Sequence, residues 1–250
     1  YVSLRDQGGS VVGLDSATGQ IATPVMPVQN RTEQDFLLGS KVDGQIRVLL
    51  DDPQTRQLLF WDGDTGEQIA LPGDTKIPVQ RGAYGLSSDH RFVYASYVDK
   101  KISVWNSADG SPVVASEDHG LSVGQIAMTP DSQWVVMASQ LDQALAWLPV
   151  SGQKTDQATK LRRVESGFPI SHLLLHPQEP MAVLVGRTAE RGYVQVIDLK
   201  TAEVVTTITQ DELSEAELPS TGRVDSESHS MSGFRYLRHQ RDAQVLGKWV

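Results

Sequence analysis

The phrase "VVGLDSATGQ" (11–20) returns four more times along the chain, as "LLFWDGDTGE" (58–67), "ISVWNSADGS" (102–111), "ALAWLPVSGQ" (144–153) and "VQVIDLKTAE" (194–203). Aligned on the residue after the last large apolar position, the copies start at Asp15, Asp62, Asn106, Leu148 and Asp198, at spacings of 47, 44, 42 and 50 residues. A repeat of that length is one supersecondary unit that cannot bury its apolar face alone and must stack on its neighbours.

The unit is clearest in "GQIAMTPDSQWVVMASQLDQALAWLPVSG" (124–152). Its apolar runs "QIAMT", "WVVMAS" and "ALAWLP" have the length and residue types of half-buried strands, here named A, B and C. "PDSQ" and "QLDQ" between them are turn chemistry, and the segment after Gly152 is expected to supply an outer strand D. The recurrent phrase is then the C-to-D hairpin: Asp15 or Asp62 accepts N–H groups two or three residues on, and Gly19, Gly66, Gly110 or Gly152 supplies a positive φ. In the fifth copy Ala202 replaces that glycine, so a different hairpin is expected there. Leu14, Trp61, Trp105, Trp147 and Ile197, ahead of the turn, are expected to pack between sheets rather than to form a ligand platform.

Four such strands per repeat predict an all-β propeller of four-stranded antiparallel blades, about six in number, in one domain spanning 1–250. The blades fall at about 1–30, 35–80, 82–118, 123–166, 169–210 and a closing or partial unit at 231–250. The first repeat lacks strand A, and Phe234 to Arg238 is expected to complete it. Because "YVSLR" is already strand-like at Tyr1, the chain reads as a piece of a longer one.

The phrases "FWDGDTG" and "VWNSADG" resemble the end of strand C in WD repeats, and "GLDSATGQ" is similar to the repeat of quinoprotein dehydrogenases. The resemblance to the WD-repeat and quinoprotein-like propeller superfamily covers nearly the whole chain and implies a divergent, bacterial-type propeller, since the Gly-His pair of WD repeats is missing. Quinone chemistry is disfavoured: the chain has no cysteine, and no Trp follows the Thr-Gly turns where those enzymes carry one.

Composition narrows function by exclusion. A net charge of −9 argues against nucleic acid, whose phosphates reward clustered Lys and Arg. Without cysteine there is no thiolate zinc site and no Cys nucleophile. His172 and His176 fall on strand A, where positions i and i+4 stand about 13 Å apart, too far for one ion. The run from Asp62 to Glu67 lacks a calcium loop's remaining oxygen ligands and coincides with the hairpin. Asp51 and Asp52 read as the B-to-C turn with Pro53. "DSESHSMSG" (225–233) places Ser beside His on a polar loop, which is not triad geometry. No catalytic residue, cofactor or metal is therefore assigned.

Two segments break the repeat: "SGQKTDQATKLRRVESG" (151–167), with Lys160, Arg162 and Arg163, and the acidic run from Thr209 to Ser230, with Asp211, Glu212 and Glu215. Long loops that a repeat does not dictate are where partner sites sit. The expectation is a non-catalytic interaction or scaffold domain with a protein partner at these residues, and reversing Lys160, Arg162 and Arg163 is expected to spare folding. A narrower expectation makes it an extracytoplasmic insertion in a membrane transporter permease of the phosphate type, tethered to the membrane protein, because a closed ring brings its termini together. The alternative is a propeller enzyme or quinone-binding domain.

Overall fold

Each repeat folds as an antiparallel meander because its runs are short, apolar and separated by turns that dictate chain reversal. A computed structural model describes residues 2–5, 10–14, 18–27, 37–42, 45–51, 57–72, 77–150 and 161–210. The first sheet has three strands in the order β1 (Val2–Arg5), β2 (Ser10–Leu14), β3 (Met26–Pro27). The second has β4 (Leu37–Val42), β5 (Gln45–Asp51), β6 (Leu58–Asp62) and β7 (Gln68–Ile69), and the third β8 (Val79–Leu86), β9 (Phe92–Tyr97), β10 (Lys101–Asn106) and β11 (Pro112–Asp118). The fourth has β12 (Gln125–Met128), β13 (Trp134–Ser139), β14 (Ala144–Pro149) and β15 (Arg162–Glu165); the fifth has β16 (Ile170–Leu175), β17 (Met181–Arg187), β18 (Gly192–Asp198) and β19 (Glu203–Thr209). All described strand pairs are antiparallel between sequence neighbours. The strand expected at Phe234 to Arg238 and the unit at 231–250 lie outside the described residues.

Strands β8, β12 and β16, the first of their sheets, face one another, so strand A is innermost and the sheets stack as blades around it. Side chains alternate across each sheet, and in the second, third and fourth blades both faces are buried against neighbouring blades. Leu49 and Phe60 of the second blade meet Val93, Ala95 and Trp105 of the third. On the third blade's other face, Tyr94, Ile102 and Val104 meet Val135, Met137 and Leu148 of the fourth. Val136, Leu145 and Trp147 then meet Phe168, Ala182, Leu184 and Ile197 of the fifth.

The hairpins carry the predicted hydrogen bonds. Oδ1 of Asp62, Asn106 and Asp198 accepts the N–H two residues on at 2.9, 2.9 and 2.7 Å. The N–H four residues on donates back to the same residue's carbonyl at 2.8, 2.8 and 2.9 Å. Asp15 lies outside the described residues. The expected exception does not occur: Ala202 takes φ +64°, beside +74° at Gly66 and +72° at Gly110. The bonds to Asp198 are strong enough to hold an L-residue in the left-handed region.

A further correction concerns the fourth copy. The residue after the C-strand end donates its N–H to a carbonyl just ahead of, or at the start of, strand B in four blades: Gly63 to Ile46, Ser107 to Arg91, Val150 to Gln133 and Leu199 to Pro180, each at 2.8 Å. The equivalent of Asp62 and Asn106 is therefore Pro149, not Leu148, and Leu148 takes the place of Trp105. Trp147, one position earlier, points to the opposite face, because a one-residue shift in a strand exchanges the faces. Accordingly the Trp105 indole N–H reaches back to the Pro72 carbonyl at 2.8 Å, and that of Trp147 reaches forward to Leu199 at 2.9 Å.

The A-to-B turns are capped by side chains. The Ser87 hydroxyl donates to Asp89 at 2.7 Å and accepts from the Phe92 N–H, and Thr129 does the same with Asp131 at 2.6 Å and Trp134. Burial works against the Asp89 charge, but hydrogen bonds from Ser87, Arg91 and Ser132 outweigh it and hold its pKa down to about 2. In the fifth blade His176 fills the same place, its Nδ1 accepting the N–H groups of Gln178 and Glu179.

Ala202→Gly is expected to relieve the left-handed strain less the added backbone entropy of glycine, a gain of about 0.5–1 kcal/mol. A thermal melt should rise by about 2 °C, and a fall would show that the alanine is not strained.

Candidate interaction surface

Of the candidate residues in the 151–167 segment, the two that the structure describes, Arg162 and Arg163, have different surroundings. Arg162 and Arg163 belong to β15. Arg162 lies over the Trp134 ring, 5.6 Å from its centroid, and donates to the carbonyls of Leu199, at 3.3 Å, and Lys200 in the next blade. Its charge is spent on the seam between blades, so reversing it would set a carboxylate against carbonyl oxygens, contrary to the expectation that folding is spared. Arg163 is exposed and pairs with Glu165 at 2.7 Å. Lys160, Asp211, Glu212 and Glu215 lie outside the described residues, as do Asp52 and the Ser-rich stretch at 225–233.

His172 is exposed on β16, but β16 ends at Leu175 and His176 is buried in the turn that follows, so the expectation that both fall on strand A holds for His172 alone. The Asp62 and Asp64 carboxylates are engaged by backbone N–H groups, Asp64 accepting from Ile46 at 2.9 Å. Among the described residues no three metal-ligating side chains gather, and no described helix is long and apolar enough to cross a membrane. A groove of about 220 Å³ at the seam of the second and third blades is lined by Leu58, Ile69, Leu71, Tyr97 and Trp105.

The other end of the blades, formed by B-to-C turns and D-to-A links, is built across blade boundaries. The link from His119 to Gly124 runs between two turns. On one side the His119 N–H donates to the Lys100 carbonyl at 2.9 Å and the Lys100 ammonium to the Gly120 carbonyl at 3.4 Å. On the other, the Ser122 N–H donates to Asp142 Oδ2 at 2.6 Å, which also accepts from the Ser139 hydroxyl at 2.7 Å. The Ser122 N–H first, then Ser139, lowers the Asp142 pKa, helped by the charges of Lys100 and Arg163. His119, Leu121 and Val123 are buried beneath the link.

This frame holds two large apolar side chains out in solvent. Val98 is 51% and Leu141 81% exposed, each in the B-to-C turn of its blade, where turn chemistry favours polar residues. Neither stands out in the sequence, because "YVDKK" and "QLDQA" read simply as turns; the available signal is an aliphatic residue inside each turn.

No family model and no curated protein matches this sequence. Solved structures do match. The Cps50 (Swd1) β-propeller domain of Myceliophteria thermophila aligns with a TM-score of 0.55 at 12% identity, over 81% of this chain and 66% of that one. The computationally designed Ika8 protein gives 0.54 at 16%, over 80% and 56%. Hydrazine synthase of Kuenenia stuttgartiensis gives 0.51 at 17%, over 67% and 46%. With the four-stranded sheets, this likeness defines the chain as a β-propeller domain. The chain spans less than two thirds of the length of each of these proteins.

Arg162→Ala should cost about 1–2 kcal/mol through the lost bonds to the neighbouring blade, whereas Arg163→Ala should stay within about 0.5 kcal/mol, as exposed ion pairs do. Urea denaturation of both variants checks this, and equal effects would refute the seam role of Arg162.

Proposed function

We propose that this chain is a non-catalytic propeller that holds a protein partner on the surface formed by Val98 to Lys100, the link from His119 to Gly124, and Gln140 to Gln143. The observation that carries the proposal is the exposure of Val98 and Leu141 on tips that hydrogen bonds fasten to one common link. Apolar side chains between blades are needed to stack the sheets; these two are not, and fixing them in water has a purpose in association. The cations of Lys100 and Arg163 lie close enough to act on Asp142. A partner segment combining apolar side chains with carboxylates fits this arrangement.

Val98→Ser with Leu141→Ser should weaken capture of the native partner at least tenfold, as loss of two interface anchors does. The melting temperature should stay within about 2 °C, since neither side chain supports the core. Pull-down from the native source beside melting curves tests this. Unchanged capture would remove the surface from consideration, and a large loss of stability would assign the two residues to folding.

A further inference from the structure

The link that joins the two tips is pinned by one imidazole. His119 is 2% exposed. Its Nε2 stands 3.0 Å from the Ser96 hydroxyl of β9, and its Nδ1 lies 3.2 Å from the Leu121 N. A backbone N–H is always a donor, so Nδ1 must accept and carry no proton; the proton sits on Nε2 and is given to Ser96. The neutral ring therefore completes a chain of bonds from β9 through His119 into the link.

Adding a proton at Nδ1 turns its acceptor into a second donor facing the Leu121 N–H. The buried imidazolium has no carboxylate among its hydrogen-bond partners. We propose that His119 is a pH-operated latch: neutral, it pins the link from His119 to Gly124 between the third and fourth blades, and once protonated it releases the link and loosens the tips bearing Val98 and Leu141.

The charged groups around the ring are mixed. Burial, the largest influence, lowers the His119 pKa; the Lys101 carbonyl and the carboxylates of Asp118 and Asp99 raise it, and the Lys100 ammonium lowers it further. From the fourth blade Asp142 holds the far end of the link through Ser122. Since the folded pKa lies below the ordinary 6.5, the unfolded or released link binds protons that the latched one refuses. The latch is intact above pH 6.5 and weakens as pH falls below it.

Amide hydrogen exchange on the intact chain, corrected for intrinsic rates, tests the latch without a partner. Between pH 7.5 and 5.0 the protection of the Leu121 and Ser122 amides should drop about tenfold or more. The Val150 and Leu199 amides, which tie strand C to the A-to-B turn in the fourth and fifth blades, should hold. In His119→Gln the side-chain oxygen still accepts the Leu121 N–H and has nothing to titrate, so this dependence should vanish. Constant protection at Leu121 and Ser122, equal loss at all four amides, or the same pH dependence in His119→Gln would each overturn the latch. That release also lowers partner affinity rests on the proposed function; it is measured separately by capture at the two pH values, so the two readings fail independently.

Discussion

The structure depends on a backbone hydrogen bond made at one end of the blade: the residue after strand C donates into the carbonyl just ahead of, or at the start of, strand B. Gly63, Ser107, Val150 and Leu199 make it at the same length, although one is a glycine, one a serine and two are aliphatic. A main-chain bond is indifferent to side chain, so it survives sequence divergence that erases the turn motif itself. It sets the register of C against B, and register decides which side chains face which neighbour. Once that is set, the second, third and fourth blades each offer one apolar face to the blade before and one to the blade after.

The two ends of the blades use their polar groups differently. At the end of the A-to-B and C-to-D turns, carboxylates and hydroxyls cap their own turns, Ser87 with Asp89, Thr129 with Asp131, Asp198 with its own hairpin, and Ser88 and Ser132 add side-chain bonds between the third and fourth blades. At the opposite end Asp142 and Lys100 bond to a link that leaves one blade and enters the next, so local and inter-blade structure are the same bonds. A surface made this way holds its shape only while the whole set of bonds holds, and the proposed recognition and the proposed response to protonation both rest on that set.

The propeller was legible because period and turn chemistry are local properties of the chain. Asp62, Asn106 and Asp198 announce hairpins by what their side chains do to N–H groups two residues away, and the burial of Trp61 and Trp105 follows from lying in a strand between sheets. The misaligned fourth copy shows the limit. "ALAWLPVSGQ" has a Trp where its siblings have one, but with proline and valine in the turn nothing local distinguishes a Trp facing forward from one facing back. Arg162 failed for a related reason: a basic residue near a long polar segment looks like surface until the next blade brings the Leu199 carbonyl against it.

What the sequence by itself determined is the repeat, the strand order within each blade and the chemistry of the hairpins, since these rest on interactions spanning five residues or fewer. The tertiary structure alone decided that Leu148 and not Trp147 faces the third blade, that Ala202 takes a conformation suited to glycine, and that Val98 and Leu141 stand on one frame above His119. Those outcomes depend on residues far apart in the chain meeting across a blade boundary, and a pattern of neighbours along the chain carries no record of who lies opposite.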